Sequence, residues 1–160
     1  MATMNIMYGT PALTDDVQKT HRLGTLMEYR HPTYGVQTLM YVKFTDAVAY
    51  AASQPLGWSA TEGDEDYVVT NDVSEDNGCA AGVASRVHTT AYYGWMVVEG
   101  VTPLQMNNDD DAADGDVAIL GTDGAANTGS DPGIVSALGI VVTAVVAATN
   151  IAIVRLKGLV

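Results

Sequence analysis

The chain of 160 residues carries little positive charge. Seven lysine and arginine residues stand against nineteen aspartate and glutamate residues, which gives a formal net charge of −12. Nucleic-acid binding needs clustered basic side chains that neutralise phosphates, so this composition argues against DNA or RNA as a partner. Acidic surfaces also keep crowded proteins apart in solution. We interpret the charge as serving solubility rather than cation binding.

Cysteine and histidine are also scarce. With Cys79 as its one cysteine, the chain has no pair for an internal disulfide. His21, His31 and His88 have no metal-ligand spacing relative to one another or to this cysteine. We therefore expect packing or surface histidines, no bound metal and no other cofactor.

Motifs of the common catalytic sites are missing as well. The sequence contains no G-x-S-x-G motif and no phosphate-binding glycine loop. A glycosidase pair of carboxylates has no spacing rule, but most acidic residues here fall in turns or on outward strand positions, where burial does not tune their pKa values. We expect no catalytic residues and no enzymatic activity.

Charge-free apolar sequence of membrane-spanning length occurs once, over residues 134–154. Polar residues interrupt this stretch, and the Ala-Thr-Asn sequence at 148–150 is a turn signal. The N-terminus has neither the basic region nor the long apolar core of a signal peptide. We interpret the stretch as two strands of a buried hairpin rather than as a membrane span, and expect no membrane partner.

A β-type pattern occurs twice, over about 63–101 and about 115–160. In each unit a Gly-Asp pair leads into an apolar strand, a glycine lies inside a small apolar run, and a last strand ends at a glycine. Chance similarity between two hairpin regions is the alternative explanation. The matching inner and outer glycines are Gly82 and Gly100 in the first unit and Gly139 and Gly158 in the second.

The last strands of the two units also agree in which residues share a face, and a slip of one residue would invert this agreement. The residues predicted on the matching faces are Met96 and Val98 in the first unit and Val154 and Leu156 in the second, with Val97, Glu99, Arg155 and Lys157 on the opposite faces.

These patterns predict an all-β protein with a small β-sandwich or barrel-like domain over residues 29–160. The domain is built from the two similar β-units and follows an extended N-terminal arm, residues 1–28. Residues 37–44 alternate as a strand does, and residues 47–53 form either a short helix or a loop. The apolar tip of the arm is either a frayed terminus or a segment that docks on a neighbouring subunit.

The acidic run at 107–116 invites comparison with a calcium-binding loop. Counted from Asp110, Asp114 and Gly115 fit the fifth and sixth positions, but Ala112 and Gly121 occupy the third and twelfth, where oxygen ligands are needed. We interpret the run as a solvated turn, with weak calcium binding at 109–116 left open. Tyr92, Tyr93 and Trp95 suit a ligand platform, a core edge or a subunit interface.

Several segments together resemble the capsid decoration (cement) proteins of tailed bacteriophages. They are the stretch Tyr-Arg-His-Pro-Thr-Tyr-Gly-Val-Gln-Thr-Leu-Met-Tyr-Val-Lys at 29–43, the Gly-Val-Ala run at 82–84, the Tyr-Gly-Trp strand from 93 that ends at Gly-Val at 100–101, the Ala-Asp-Gly-Asp turn at 113–116 and the closing Arg-Leu-Lys-Gly-Leu at 155–159. The resemblance covers about 29–160. The methionine-rich arm and the 71–78 loop do not match the family pattern.

The resemblance implies a structural protein on the outer surface of the virion's capsid. It would bind the major capsid protein, stabilise contacts between neighbouring subunits, and act as a homotrimer or homodimer without cofactor or catalysis. The candidate residues for the capsid or subunit interface are Met4, Ile6, Met7, Tyr8, Tyr34, Tyr92, Tyr93 and Trp95.

Two other functions stay open at this point. One is a phage tail or baseplate component or an adhesin-type domain that binds glycans, which aromatic loop residues would favour. The other is a virion-associated hydrolase, which a buried carboxylate pair or a histidine–acid pair in a pocket would favour.

Overall fold

Ten β-strands make up the computed structural model, and the part of the chain that it describes contains no helix. The described residues are 14–45, 50–60, 66–72, 76–107, 112–121, 124–129, 137–146 and 148–158. The strands are β1 Leu26–His31, β2 Gly35–Phe44, β3 Pro55–Ser59, β4 Val68–Thr70, β5 Asp76–Ala84, β6 Tyr93–Gln105, β7 Val117–Leu120, β8 Ala126–Gly129, β9 Ala137–Val146 and β10 Ile151–Lys157. The predicted all-β class is confirmed.

Five strands close into a small barrel. The order β2–β4–β3–β5–β6 is completed by a second pairing between β6 and β2, so that each strand of the ring has two neighbours. β2 and β4 run parallel, and the other four pairs are antiparallel. Closure leaves these strands with little free edge, and edges are where sheets pair with unwanted partners.

The barrel interior is one of two hydrophobic clusters that the described residues form. A ring of five strands encloses little space, and small residues of β5, Ala81 and Ala84, face larger side chains from β2, β3 and β6. Phe44 packs edge-on against Tyr50, with ring centroids 4.9 Å apart. The buried members of this cluster are Met40, Val42, Phe44, Tyr50, Leu56, Val69, Ala81, Ala84, Met96 and Val98.

β6 extends beyond the barrel, and its extension forms the first strand of a second sheet layer. Its residues 99–105 pair with β10, and the sheet continues through β9 and β7 to β8. This extension packs on the outer side of β5. The larger hydrophobic cluster lies between the two layers and combines Leu39, Trp95 and Val97 with Leu138 and Val154, among others.

The two units match in their hairpins. A Cβ on Gly82 would lie 2.5 Å from the carbonyl oxygen of Val97, and one on Gly139 would overlap the carbonyl oxygen of Arg155. Gly100 and Gly158 both have positive φ, +104° and +74°. The inner glycine therefore allows close approach of the partner strand. The outer glycines differ: Gly158 follows the end of β10, whereas β6 continues through Gly100 to Gln105, so the predicted strand end at Gly100 is wrong.

The first strands of the two units have different neighbours. β4 pairs with β2 and β3 inside the barrel, whereas β7 pairs with β8 and β9. The predicted alternation of the last strands is confirmed, but the predicted match of their faces is not. Met96 and Val98 point into the barrel, whereas Val154 and Leu156 are buried between the layers in the same cluster as Val97, with Arg155 and Lys157 exposed.

The apolar stretch at 134–154 forms the β9–β10 hairpin over its described residues, and residues 148–150 form the predicted turn. Asn150 has a φ of 52°, and its N–H donates to the carbonyl of Val146 over 2.8 Å. Within the described residues, no helix has the length and apolar character needed to cross a membrane.

Candidate functional site

The outward side of β9 is apolar and exposed. Ile140, Val142 and Val146 are 42%, 42% and 56% exposed. A β-bulge at Leu138 explains this arrangement: Ala118 pairs with Gly139 while Ile119 pairs with Ala137, which leaves Leu138 as the extra residue. The bulge turns Leu138 into the core, and Ile140 and Val142 after it face outward. Further register shifts between β9 and β10 place Thr143 opposite Ile153 and Val146 opposite Ile151.

The same side of the neighbouring strands extends this apolar surface. Ile140 lies opposite Val117 of β7 and Arg155 of β10, and Arg155 lies opposite Val101 of β6. Directly opposed residues share a face of a sheet, so the surface spans four strands. We call it the outer face; its apolar residues are Val101, Val117, Ile119, Ile140, Val142, Val146, Ile151 and Ile153.

Two basic side chains lie beside the apolar part of the outer face. Arg155 and Lys157 are exposed on β10, and neither forms an ion pair within the described ranges. They are two of only seven basic residues in the chain. The exposed Glu99 of β6 lies opposite Lys157 on this face, whereas Arg155 lies opposite Val101 and Ile140. The outer face therefore offers apolar contact area and, at Arg155, a positive charge with no acidic residue directly opposite it.

A cavity lies where the β1–β2 hairpin meets the end of β5. This cavity has a volume of about 110 Å³ and is lined by Tyr29, His31, Tyr34, Gln37 and Pro103, among other residues. The ring of His31 lies 4.7 Å from that of Tyr34 and 6.0 Å from that of Tyr29, measured between centroids. We call it the aromatic cavity.

The hairpin turn fixes the ring of His31. The backbone N–H groups of Thr33 and Tyr34 donate to its Nδ1 over 3.0 and 3.2 Å. A nitrogen that accepts two hydrogen bonds carries no proton, so the proton of the neutral ring lies on Nε2. The turn thus presents an N–H donor at Nε2, and Gly35 with a φ of +79° completes the reversal of the chain.

Residues 14–25 lie against the barrel through two neighbouring aspartates. Asp15 Oδ1 lies 2.7 Å from His88 Nδ1, and Asp16 accepts a 2.8 Å hydrogen bond from the hydroxyl of Tyr41. Asp16 also exchanges two backbone hydrogen bonds with Tyr93. Burial raises the pKa of Tyr41, and the bond to Asp16 adds to that direction.

The Asp15–His88 pair is buried, with side-chain exposures of 6% and 1%. The ring of His88 stacks on Phe44 at 4.0 Å, and its Nε2 is buried without a partner among the described residues. Neither residue lines the aromatic cavity. A general base must reach a substrate, and His88 Nε2 is enclosed by the protein. The Asp15–His88 pair therefore does not provide the histidine–acid site in a pocket that a hydrolase would need.

We expect acid to weaken the docking of residues 14–25. Burial raises the pKa of Asp15, but hydrogen bonds from His88 and from the Thr89 N–H, with the charge of His88, hold the pKa below its usual 3.8. The stabilisation of the fold by the ionised Asp15 carboxylate is therefore present above pH 3.8, the usual pKa of an aspartate. It is lost as the pH falls through the lowered pKa of Asp15. Urea midpoints between pH 2 and 6, compared for the wild type and Asp15→Asn, measure this loss.

Asp15→Asn should flatten that dependence, whereas the wild type loses stability toward low pH. The control is Glu28→Gln on the exposed side of β1, which should keep the wild-type profile. Equal pH profiles for the wild type and Asp15→Asn would show that Asp15 does not hold the segment.

The predicted interface residues fall in different places. Tyr34 lines the aromatic cavity, and Tyr92 and Tyr93 are half-buried at the opposite end of β2. Trp95 requires a correction: it is only 4% exposed and packs against Tyr41 and His21, so it belongs to the core and offers no surface to a partner. Met4, Ile6, Met7 and Tyr8 lie outside the described residues.

The acidic turn lies partly outside the described residues. Of its described carboxylates, Asp114 accepts a hydrogen bond from the N–H of Ala144, and Asp116 accepts one from the N–H of Ala113. Asp114 therefore ties the turn to β9, and Asp116 closes the turn itself. No group of three metal-binding side chains occurs among the described residues.

Sequence reasoning missed the outer face because the 134–154 stretch has no charged residue and few polar ones. In such a stretch the inward and outward positions of β9 have the same character, and the bulge at Leu138 breaks the period of two. A usable signal was the position of Arg155 and Lys157, whose charges mark the outward side of the adjoining strand.

No protein-family model matches the chain, and no curated protein matches it. Among solved structures, the head fiber gp8.5 N base of bacteriophage phi29 is similar to it, with a TM-score of 0.49 and 14% sequence identity, over 74% of this chain and 92% of that one. That neighbour is a component of a phage head. Similarity at this level carries no inference about what the present chain does.

Proposed function

We propose that the chain is a decoration protein of a phage capsid, which binds the outer surface of the head through the outer face and stabilises contacts between major capsid protein subunits. The observation that carries the proposal is the outer face itself. Contiguous apolar surface on a folded protein marks an interaction site more often than scattered apolar residues do.

The outer face suits a partner that is repeated by symmetry. Each copy would bury a modest apolar area, and a protein bound to several subunits at once gains from effective concentration. In the proposed arrangement Arg155 and Lys157 meet acidic groups of the capsid protein, while the acidic remainder of the domain faces solvent. The high negative charge would keep densely coated particles apart.

The rest of the proposal follows from the family resemblance of segments between residues 29 and 159. The chain would act as a homotrimer or homodimer, without catalysis and without a cofactor. The arm residues Met4, Ile6, Met7 and Tyr8 would add contacts to a neighbouring subunit, because extended segments commonly bind by pairing with an exposed strand.

Cosedimentation with heads of the phage that encodes the chain tests this function. The full-length protein should bind saturably, and a truncation that lacks residues 1–13 should bind more weakly. The truncation ends at residue 13 because Asp15 and Asp16 hold the following segment on the barrel, so a longer deletion would also disturb the fold.

The outcomes separate the two proposed contact regions. Equal saturable binding by both proteins would keep the capsid function and remove the arm from the interface. No binding by either protein, with both folded by circular dichroism, would reject the decoration function. A tail or baseplate role would then be the alternative.

A further inference from the structure

We propose that the aromatic cavity binds one neutral sugar ring, such as the terminal pyranose of a surface polysaccharide. This site is separate from the outer face, and its function does not depend on capsid binding. The argument rests on the size of the cavity, its aromatic walls and one amide oxygen that has no protein partner within the described ranges and is open to solvent.

The cavity has the size of a single ring. Its volume is about 110 Å³, whereas drug-sized ligands occupy pockets of roughly 300–1,000 Å³. An enclosed apolar cavity of about 150 Å³ is known to hold benzene. A cavity slightly smaller than this, with one open side, takes most of a six-membered ring and leaves its substituents outside.

The amide oxygen belongs to Gln37, a residue that is only 3% exposed overall. Its Nε2 donates a 2.6 Å hydrogen bond to the carbonyl of Val101. A carbonyl needs a donor, so this bond identifies which amide atom is nitrogen. Its Oε1 has no hydrogen-bond partner among the described residues and is not among the buried polar atoms, so solvent reaches it, and Gln37 lines the cavity.

A ligand in the cavity must therefore donate a hydrogen bond. An apolar ring would displace water from Gln37 Oε1 without donating a hydrogen bond to it. The oxygen would then be a buried acceptor without a partner, which makes the free energy of binding less favourable. A hydroxyl group in the same place satisfies it. This favours a polyhydroxylated ring over a purely apolar one.

The walls supply the remaining contacts of a sugar site. The rings of Tyr34 and His31 offer apolar surface to the C–H face of a pyranose, and Pro103 lies on the lining of the same cavity. His31 Nε2–H is a donor, and the hydroxyls of Tyr29, Tyr34 and Ser53 form no hydrogen bond within the described part of the chain. These neutral donors and acceptors match sugar hydroxyls.

The charge of the site excludes acidic and basic ligands. No lining residue of the cavity is an aspartate, glutamate, lysine or arginine. Moving an ionised group into a cavity without a counter-charge is costly. We therefore expect neutral sugars to bind and sialic acid or phosphorylated sugars not to bind.

Saturation-transfer NMR on the full chain tests the site. The probes are the methyl glycosides of glucose, galactose, N-acetylglucosamine and N-acetylgalactosamine at millimolar concentration, with N-acetylneuraminic acid as the charged comparison. At least one neutral glycoside should bind, and Gln37→Leu and Tyr34→Ala should each weaken its binding about tenfold or more.

Matched controls separate the site from general effects on folding. Gln105→Leu removes another glutamine that donates to backbone carbonyls, and Tyr92→Ala removes a half-buried tyrosine far from the cavity. Both should bind the sugar as the wild type does. Tyr34→Ala decides the outcome if Gln37→Leu loses its native circular dichroism.

Two results would overturn the proposal. One is no binding of any neutral glycoside, or binding that both cavity variants leave unchanged. The other is binding of N-acetyltyrosinamide or triproline in place of the glycosides, which would make the cavity a peptide site. Capsid binding is measured separately, so failure here leaves the decoration function untouched.

Discussion

Replacing Ile140 and Val142 together with aspartate should lower capsid affinity by at least about a hundredfold. Both side chains lie in the middle of the outer face and are 42% exposed. In the proposed complex they become buried, and two carboxylates there would be desolvated without a partner. A hundredfold loss corresponds to about 2.7 kcal/mol, which is modest for burying two charges.

The same change should affect folding little, because the two positions face solvent in the free protein. Val87→Asp is the matched control: Val87 is 64% exposed and lies in the segment before His88, away from the outer face. Cosedimentation with heads should show wild-type binding for Val87→Asp and no saturable binding for the double variant. Wild-type binding by a folded double variant would place the capsid contact elsewhere.

Gly139→Ala should destabilise the protein by about 3 kcal/mol, which is at the upper end of the cost of overpacking. A Cβ on Gly139 would overlap the carbonyl oxygen of Arg155 and lie 3.0 Å from the Cα of Leu156. Both groups belong to the backbone of β10, which β6 and β9 hold on its two sides. Alanine restricts the unfolded chain more than glycine does, which by itself would stabilise the folded protein by about 0.4–1 kcal/mol. The steric clash outweighs this, so the net effect is a loss of stability.

Urea unfolding measures this effect, and two further variants make it specific. Gly82→Ala meets the carbonyl oxygen of Val97 at 2.5 Å and should cost a similar amount if the two hairpins are equivalent. Gly35→Ala has no atom within 4 Å of its Cβ but a φ of +79°, so it should cost only about 1–2 kcal/mol. A loss for Gly139→Ala no larger than for Gly35→Ala would contradict the close approach of β9 and β10.

The extent to which local sequence predicted the structure varies from one element to another. The alternation at Val154, Arg155, Leu156 and Lys157 predicted buried and exposed faces that are confirmed, since adjacent residues of a strand point to opposite sides. The Ala-Thr-Asn turn at 148–150 is also confirmed. These features depend on a few neighbouring residues, and the sequence alone therefore contains them.

Trp95 illustrates why the interface residues were harder to predict. An aromatic residue is suited both to a core and to an interface, and its own strand does not distinguish the two. Trp95 packs against Tyr41, which lies opposite it on β2, and against His21, which precedes β1. Both are far from Trp95 in sequence, so only the folded chain brings them together.

The sequence by itself determined the class of this protein: strands and turns in an acidic chain without a recognisable catalytic or metal-binding motif. Only the tertiary structure decided which surfaces are free. Closure of the barrel depends on β2 meeting β6, the outer face depends on the bulge at Leu138, and the aromatic cavity joins β1, β2, β5 and β6. Local preferences act over a few residues, whereas barrel closure and cavity shape depend on pairings between residues far apart in the chain.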